Sequence, residues 1–247
     1  MTLKAAQGPL VGVKIIELAG IGPGPLCSAL LADMGADILR IDRPVPADIG
    51  GPRPARADVA RRGRYSVSVD LKNLQGVETI LRLAKNADAI LDPFRPGVTE
   101  RLGLGPDDVF ARNKRIIYGR MTGWGQDGPL GQAAGHDLNY LAITGVLNAI
   151  GPKEMPVPPL NVVADMGGGA MFLAVGVLAG IIEARQSGEG QVVDAAMVEG
   201  SAYLGMGQFG MVATNARVNE RAANSTDGGS HFYRCYKTSD GKFVSIA

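Results

Sequence analysis

Two residues of this 247-residue chain have the types and settings that acid and base chemistry requires. His136, one of two histidines, stands in the run Gly135-His136-Asp137-Leu138-Asn139-Tyr140, and Asp165 precedes three glycines and an apolar stretch. Each is predicted to lie where a helix begins. The positive end of a helix dipole disfavours imidazolium, so His136 is expected to be a neutral base. The dipole and the free N–H groups of Met166 to Gly169 are expected to favour the Asp165 carboxylate, which then takes up and returns a proton.

A purely structural interpretation stays open for both residues. Asp165 is then the N-cap of its helix and His136 an ordinary helix-start residue. Caps are much commoner than catalytic carboxylates, so residue type alone does not choose between the two interpretations.

The elements that must position these residues alternate between strands and helices. Strands are predicted at residues 13–18, 36–41, 66–70, 87–91 and 115–120, and helices at 25–34, 74–86 and 106–113. Three apolar helices follow at 136–149, 166–186 and 195–214, with a short strand at 191–194. This alternation predicts an α/β fold with a Rossmann-like, mostly parallel sheet flanked by helices.

The last part of the chain is predicted to start a second, smaller domain. Polar residues at 224–230 suggest a boundary, so residues 1–224 are predicted to form a large domain and 225–247 a linker and first hairpin. The hairpin turn is predicted at Ser239-Asp240-Gly241. Since the chain stops within a predicted strand, we expect it to be a truncated form.

Composition excludes several classes of function. The net charge of +1 gives no general attraction to nucleic acid or to an anionic membrane. The first residues lack the apolar core of a signal peptide, and the apolar run at 170–182 is expected to be too short to span a bilayer. Cys27 and Cys235 are far apart and form no disulfide framework or metal-ligand set, which favours a cytoplasmic location.

The segment Gly20-Ile21-Gly22-Pro23-Gly24-Pro25 follows the first strand as a dinucleotide fingerprint would. Pro25 replaces the third glycine, however, and Pro23 removes an N–H group from the phosphate cradle. A tight turn with proline at the helix start is a second interpretation. A third is a nucleotide-like ligand that lies across this edge without needing the fingerprint.

Basic residues near the predicted carboxyl ends of strands favour a polyphosphate ligand. Arginine binds phosphates through bidentate contacts, although a solvated surface is the default for any one of these side chains. The candidates are Arg43, Arg61, Arg62, Arg64, Lys72, Arg95 and Arg101.

Several longer runs resemble the α-methylacyl-CoA racemases of the family III CoA-transferase superfamily. The stretch Arg95-Pro96-Gly97-Val98-Thr99-Glu100-Arg101-Leu102-Gly103-Leu104-Gly105-Pro106 and the stretch Met121-Thr122-Gly123-Trp124-Gly125-Gln126 are typical of the superfamily. The run from Gly135 to Tyr140 is typical of its racemases.

The resemblance implies a CoA-thioester site and two interlocked chains. His136 and Asp165 match the catalytic pair. Arg43, Arg95 and Arg101 fall in segments that hold the CoA phosphates, and Met197 falls in a methionine-lined acyl surface. The glutamate that supports the histidine in this family is expected beyond Ala247.

The resemblance predicts a racemase that inverts the α-carbon of a 2-methylacyl-CoA through an enolate, with residues 1–224 as its CoA-binding domain. Inversion needs one acid or base group on each side of the carbon, and no metal or redox cofactor is expected. The N–H groups of Gly167-Gly168-Gly169 are candidate donors to the enolate oxygen. One alternative is a CoA-transferase in which Asp165 is the nucleophile, and another is an inactive CoA-binding fragment.

Overall fold

The computed structural model describes residues 7–45 and 57–247. Most of the loop predicted for Pro44 to Pro54 lies outside the described residues. Within them, six parallel strands form one sheet in the order β3-β2-β1-β4-β5-β6. The strands are β1 (Lys14–Leu18), β2 (Asp37–Asp42), β3 (Tyr65–Ser68), β4 (Ala89–Asp92), β5 (Ile117–Thr122) and β6 (Val192–Ala196).

Helices cover both faces of the sheet, which confirms the predicted fold class. Their bounds are α1 (Pro23–Asp33), α2 (Leu74–Ala84), α3 (Val98–Arg101), α4 (Pro106–Phe110), α5 (Asp137–Thr144), α6 (Phe172–Ser187) and α7 (Met197–Ala213). One core contains Leu31 of α1 and Leu173 of α6, and the other contains Ile80 of α2 and Val109 of α4. Because apolar helices cover both of its faces, the sheet is rich in isoleucine and leucine.

The strand order reverses direction between β1 and β4. From β1, the chain first adds β2 and β3 on one side and then β4, β5 and β6 on the other. Loops leaving the carboxyl ends of β1 and β4 therefore diverge and leave a crevice between them, where α/β proteins commonly bind ligands.

Two of the predicted apolar helices differ from expectation. The helix predicted for 136–149 ends at Thr144, because Gly145 is left-handed (φ 79°), and Val146–Ala149 continues as a 3-10 turn. The helix predicted for 166–186 begins earlier, with a π-helical segment at Val162–Met171 that runs directly into α6. The short helix α3 was not predicted.

The combined helix Val162–Ser187 is longer than the sequence suggested. Its 26 residues include an 18-residue window of mean hydropathy 1.8, so by length and composition alone it is able to cross a membrane. The expectation that this region is too short was wrong, because Gly176 and Gly180 do not interrupt the helix. Part of it is core: Gly180 lies against Ile117 of β5, and Gly176 against Val193 of β6.

A separate two-stranded antiparallel sheet follows the polar residues after α7. It consists of β7 (Arg234–Lys237) and β8 (Phe243–Ile246), joined by a turn in which Gly241 has a φ of 81°. Both strands are exposed along their whole length. The division at residues 224 and 225 stays a prediction.

Candidate active site

A cavity of about 350 Å³ lies at the crevice between β1 and β4. Its wall is built from loops that leave the carboxyl ends of β1, β4 and β5, together with the starts of α5 and α7. His136, Asp165, Arg95 and Met197, four of the residues predicted from the sequence, line this one cavity. The other lining residues that matter below are Gly22, Pro23, Pro93, Phe94, Met121, Gly123, Trp124, Gly135 and Tyr140.

His136 is the N-cap residue of α5, as the sequence predicted. Its backbone is extended (φ −135°, ψ 169°), and its N–H donates to the Asn139 side-chain oxygen at 3.0 Å. The side chain is exposed, and none of the described residues hydrogen-bonds the imidazole. The backbone is therefore fixed by the capping interaction while the ring is available to a molecule in the cavity.

Asp165 lies inside the first turn of the π-helical segment, not at its cap. Asn161 is the cap residue, and the Asn161 amide donates to Asp165 Oδ2 at 3.4 Å. The interpretation of Asp165 as an N-cap was therefore wrong. π-Helical turns are rare and are frequently found at functional sites.

Burial, first of all, raises the pKa of the half-buried Asp165 carboxyl. The Asp137 carboxylate raises this pKa as well, whereas the Asn161 hydrogen bond and His136 act to lower it. The expectation that the helix start favours the charged form was wrong, because desolvation disfavours the carboxylate. Asp165 thus retains a proton to higher pH than an exposed aspartate does.

The glycines after Asp165 do not offer free N–H groups to a ligand. A π-helix pairs each N–H with the carbonyl five residues earlier, so the pattern that begins at Val162 occupies the N–H groups from Gly167 onwards. Gly168 instead allows close contact with α7, where a Cβ would lie 2.8 Å from the Ser201 nitrogen. The prediction that Gly167 to Gly169 bind the enolate oxygen was wrong.

An aromatic pair forms part of the wall of the same cavity. The rings of Trp124 and Tyr140 meet edge to face, with centroids 4.7 Å apart. A Cβ at Gly123 would lie 2.6 Å from Tyr140, and one at Gly135 would lie 2.8 Å from both rings. These two glycines are therefore needed for the aromatic pair to pack. Burial, and to a smaller extent the Asp165 charge, raise the pKa of Tyr140 to about 12, so the Tyr140 hydroxyl is neutral.

Asp92, which sequence reasoning missed, shapes the loop after β4. Its buried carboxylate accepts from the Phe94 N–H at 2.9 Å and from the Thr99 hydroxyl at 2.8 Å. Burial raises the pKa of Asp92, while these hydrogen bonds oppose that change. The turn that places Phe94 and Arg95 on the cavity wall is fixed in this way.

Of the seven basic residues named as candidates from the sequence, three lie around this loop. Arg95 lines the cavity, the Arg43 guanidinium lies 5.6 Å from the centre of the Phe94 ring, and exposed Arg101 lies beside Gly97. Lys72 is exposed in the turn after β3, two strands away from β1, and does not line the cavity. The structure thus brings Arg43, Arg95 and Arg101 together and leaves Lys72 apart.

Comparison with known proteins shows the family of this chain. The sequence model of CoA-transferase family III matches residues 10–247. The chain belongs to CoA-transferase family III. It is 43% identical over 96% of its length to the α-methylacyl-CoA racemase of Mus musculus, and it spans 60% of that relative's length.

One further sequence relative and one solved structure of this family are also similar to the chain. It is 35% identical over 86% of its length to a probable fatty acyl-CoA transferase of Mycobacterium tuberculosis, of which it spans 56%. A crystal structure of a CaiB/BaiF family protein from Brucella suis superposes with a TM-score of 0.84 at 26% identity. That match covers 97% of this chain and 66% of the other.

The arginines around residue 62 of this family III chain form ion pairs within the protein. Arg61 pairs with Asp58 at 2.8 Å, and Arg62 pairs with Asp33. Arg64 is almost fully buried and pairs with Glu17, which also binds Arg40. The expectation that these three arginines meet a phosphate was wrong for Arg64, because its guanidinium is occupied in compensating the buried Glu17 charge.

The glycine-rich loop after β1 is a tight turn with proline at the helix start. Gly22 has a φ of 67°, and α1 begins at Pro23. A Cβ at Gly20 would lie 2.6 Å from Pro93, so this glycine allows the loops after β1 and β4 to touch. Met197 of α7 is buried and lines the cavity, whereas Met206 and Met211 of the same helix are exposed and do not line it.

A second cavity, of about 680 Å³, lies between α7 and the hairpin. It contains a buried ion pair in which Arg217 and Asp227 are 3.3 Å apart, but neither His136 nor Asp165 lines it. Within residues 7–45 and 57–247, no three His, Cys, Asp or Glu side chains are grouped closely enough to hold a metal ion.

Proposed function

We propose that the protein interconverts the (2R) and (2S) forms of 2-methylacyl-CoA thioesters. The observation that carries this proposal is that His136 and Asp165 come from two different elements and line the same cavity. Their electrostatic coupling also indicates proximity, since His136 acts to lower the pKa of Asp165. Two proton-carrying groups at one cavity are what inversion of a carbon centre requires.

In this mechanism one group removes the α-proton and the other returns a proton to the opposite side. Starting from one epimer, His136 accepts the proton and protonated Asp165 donates its own; from the other epimer, the Asp165 carboxylate accepts and the imidazolium donates. The raised pKa of Asp165 helps the first direction, because it increases the fraction that carries a proton. The thioester stays intact throughout.

The enolate oxygen needs hydrogen-bond donors other than the glycines after Asp165. The first N–H groups of a helix have no partner within the helix, and α5 begins at Asp137, next to His136. The Asp137 and Leu138 N–H groups are therefore our candidates for this role. They replace the prediction made for Gly167 to Gly169.

The ligand's phosphates are assigned to Arg95, which lines the cavity, to Arg43, which lies beside Phe94, and to Arg101, which lies beside Gly97. Lys72 does not line the cavity, and its contact with the ligand stays a prediction. The acyl chain is assigned to the side of the cavity lined by Met121 and Met197, since thioether side chains adapt to varied apolar groups. We also propose an interlocked pair of chains and a cytoplasmic location, for which the support is the family resemblance and the cysteine usage, respectively.

The test follows deuterium at the α-carbon of a single-epimer 2-methylacyl-CoA in deuterated water. The protein should introduce deuterium and destroy the optical purity of the substrate. His136→Gln should slow exchange by roughly 10²- to 10⁴-fold, the usual contribution of a general base, with little change in thioester binding. The control is His231→Gln, which replaces the other histidine, far along the chain and exposed. Unchanged exchange in His136→Gln would remove His136 from the mechanism.

A transferase would give a different result. Asp165 would form an acyl adduct that hydroxylamine traps, and CoA would move to an added free carboxylic acid. Such transfer, without deuterium at the α-carbon, would replace the racemase proposal. Absence of both reactions, with thioester binding intact, would leave CoA-ester binding as the activity of this chain.

A further inference from the structure

Asp137 connects the two elements that carry His136 and Asp165. It is the first residue of α5 and only 4% exposed. Its Oδ2 atom accepts hydrogen bonds from the backbone N–H groups of Ala164 and Asp165, each at 2.8 Å. One carboxylate oxygen therefore ties the start of α5 to the first turn of the π-helical segment.

The connection between the two candidate catalytic residues is short. His136 precedes Asp137 in the chain, and the Asp137 carboxylate binds the backbone N–H of Asp165 itself. The His136 backbone is held in turn by Asn139. A displacement of about 1 Å in a reacting group can change a rate by about 100-fold, so a contact that fixes this separation has catalytic consequences.

Capping alone does not explain a charged residue at this position. Asp137 Oδ1 is also buried, and none of the described residues donates a hydrogen bond to it. A buried carboxylate oxygen without a partner is unfavourable, and a neutral asparagine or serine can also accept from a helix start. The negative charge therefore calls for a function of its own.

The charge acts on Asp165. The groups near Asp165 are His136, Asp137 and Tyr140 from α5, Asn161 from its own segment, and Arg95 on the same cavity wall. Of these, Asp137 is the one whose negative charge raises the pKa of Asp165, in addition to the effect of burial.

On the basis of the racemase function argued above, we propose that Asp137 is a positioning residue with two effects. Its hydrogen bonds set the separation of His136 from Asp165, and its charge adds to the effect of burial in making Asp165 a proton donor. Asp137 itself touches neither the substrate nor the reacting atoms through its side chain.

The test compares the protein with Asp137→Asn, which keeps an oxygen for the two N–H groups and removes the charge. The Asp165 carboxyl is titrated by ¹³C NMR, with Asp165→Asn to assign its signal. The midpoint of the Asp165 titration should move to lower pH. In the plot of exchange rate against pH, the inflection caused by Asp165 should move in the same direction. We expect kcat for exchange to fall roughly ten- to hundredfold while KM changes less than about twofold.

Asp107→Asn is the matched control, because it removes a carboxylate from the first turn of another helix, α4, at an exposed position. It should leave the Asp165 midpoint and the exchange rate unchanged. If Asp137→Asn does not fold, Asp137→Ser keeps a helix cap without charge and should give the same shift of the midpoint.

An unchanged Asp165 midpoint in a folded Asp137→Asn or Asp137→Ser variant would overturn the proposal. So would failure of both variants to fold, which would assign Asp137 to stability alone. The titration needs no substrate, so its outcome is separate from that of the proposed function. If the unaltered protein exchanges no α-proton, the racemase proposal fails, and the midpoint still decides whether Asp137 controls Asp165.

Discussion

The contact between the π-helical segment and α7 gives a sharp prediction about stability. Gly200 of α7 packs directly on Gly168, and a Cβ built at Gly200 would lie 2.6 Å from the Gly168 carbonyl carbon and 2.7 Å from its Cα. Non-bonded carbon atoms are best separated by 3.5–4.0 Å, so Gly200→Ala requires the two backbones to move apart by about 1 Å. Neither neighbour is a flexible side chain that could swing away.

The expected magnitude follows from two opposing effects. Alanine is favoured over glycine in a helix by about 1 kcal/mol, whereas overpacking a tight contact costs about 1–3 kcal/mol and occasionally more. Because the clash is with backbone, we place the overpacking cost of Gly200→Ala near the upper end, which leaves a net loss of about 2 kcal/mol in the free energy of unfolding. In a chain of this size that corresponds to a fall in Tm of roughly 4–8 °C.

Two other glycines of the same helix are matched controls. A Cβ at Gly207 or Gly210 would meet nothing within 4 Å, so Gly207→Ala and Gly210→Ala should gain up to about 1 kcal/mol from helix propensity alone. Urea unfolding followed by circular dichroism measures all three. If Gly200→Ala is as stable as these two variants, then Gly200 is not required for the close packing of the two helices.

Two further results are expected. Arg43→Ala should raise KM for the thioester roughly tenfold with kcat nearly unchanged, since the Arg43 guanidinium lies beside Phe94 and not among the proton-transfer groups. Arg112→Ala, which breaks a surface ion pair with Glu78, is the control. A fall in kcat alone would assign Arg43 to the reaction. Cys27 should resist alkylation at pH 8 in the folded protein, whereas exposed Cys235 should react. Burial, and to a smaller extent the Glu17 charge, raise the pKa of the Cys27 thiol to about 12 and favour its unreactive protonated form. If mass spectrometry finds both cysteines labelled without denaturant, the packing of α1 is contradicted.

Much of the sheet could be predicted because its signals are local. Apolar runs such as Ile15-Ile16 and Ile38-Leu39 marked strands, and their alternation with helices indicated parallel order. His136 was also predicted at a helix start, and it is the N-cap residue of α5, with its N–H bound to Asn139 three positions away. The assignments of His136 and Asp165 as catalytic residues stay predictions.

Features that depend on distant residues could not be predicted from the sequence. Asp165 was placed at a helix cap, but the segment starts earlier because Asp137, more than 25 positions away, binds its first turn. Arg64 was expected at a phosphate, but Glu17, 47 residues away in sequence, holds it in the core. The requirement for glycine at positions 168 and 200 likewise becomes apparent only when the two helices are packed together.

The π-helical segment also sets the angular phase of Asp165. Each residue of an α-helix turns the chain by about 100°, so the face that a side chain occupies depends on how the residues between it and the packed part of the helix are wound. α6 is fixed by its contacts with β5 and β6, and Asp165 precedes it within the wider coil. Rewinding Val162–Met171 as α-helix would therefore rotate the carboxylate around the helix axis, away from the cavity, without changing either His136 or Asp165.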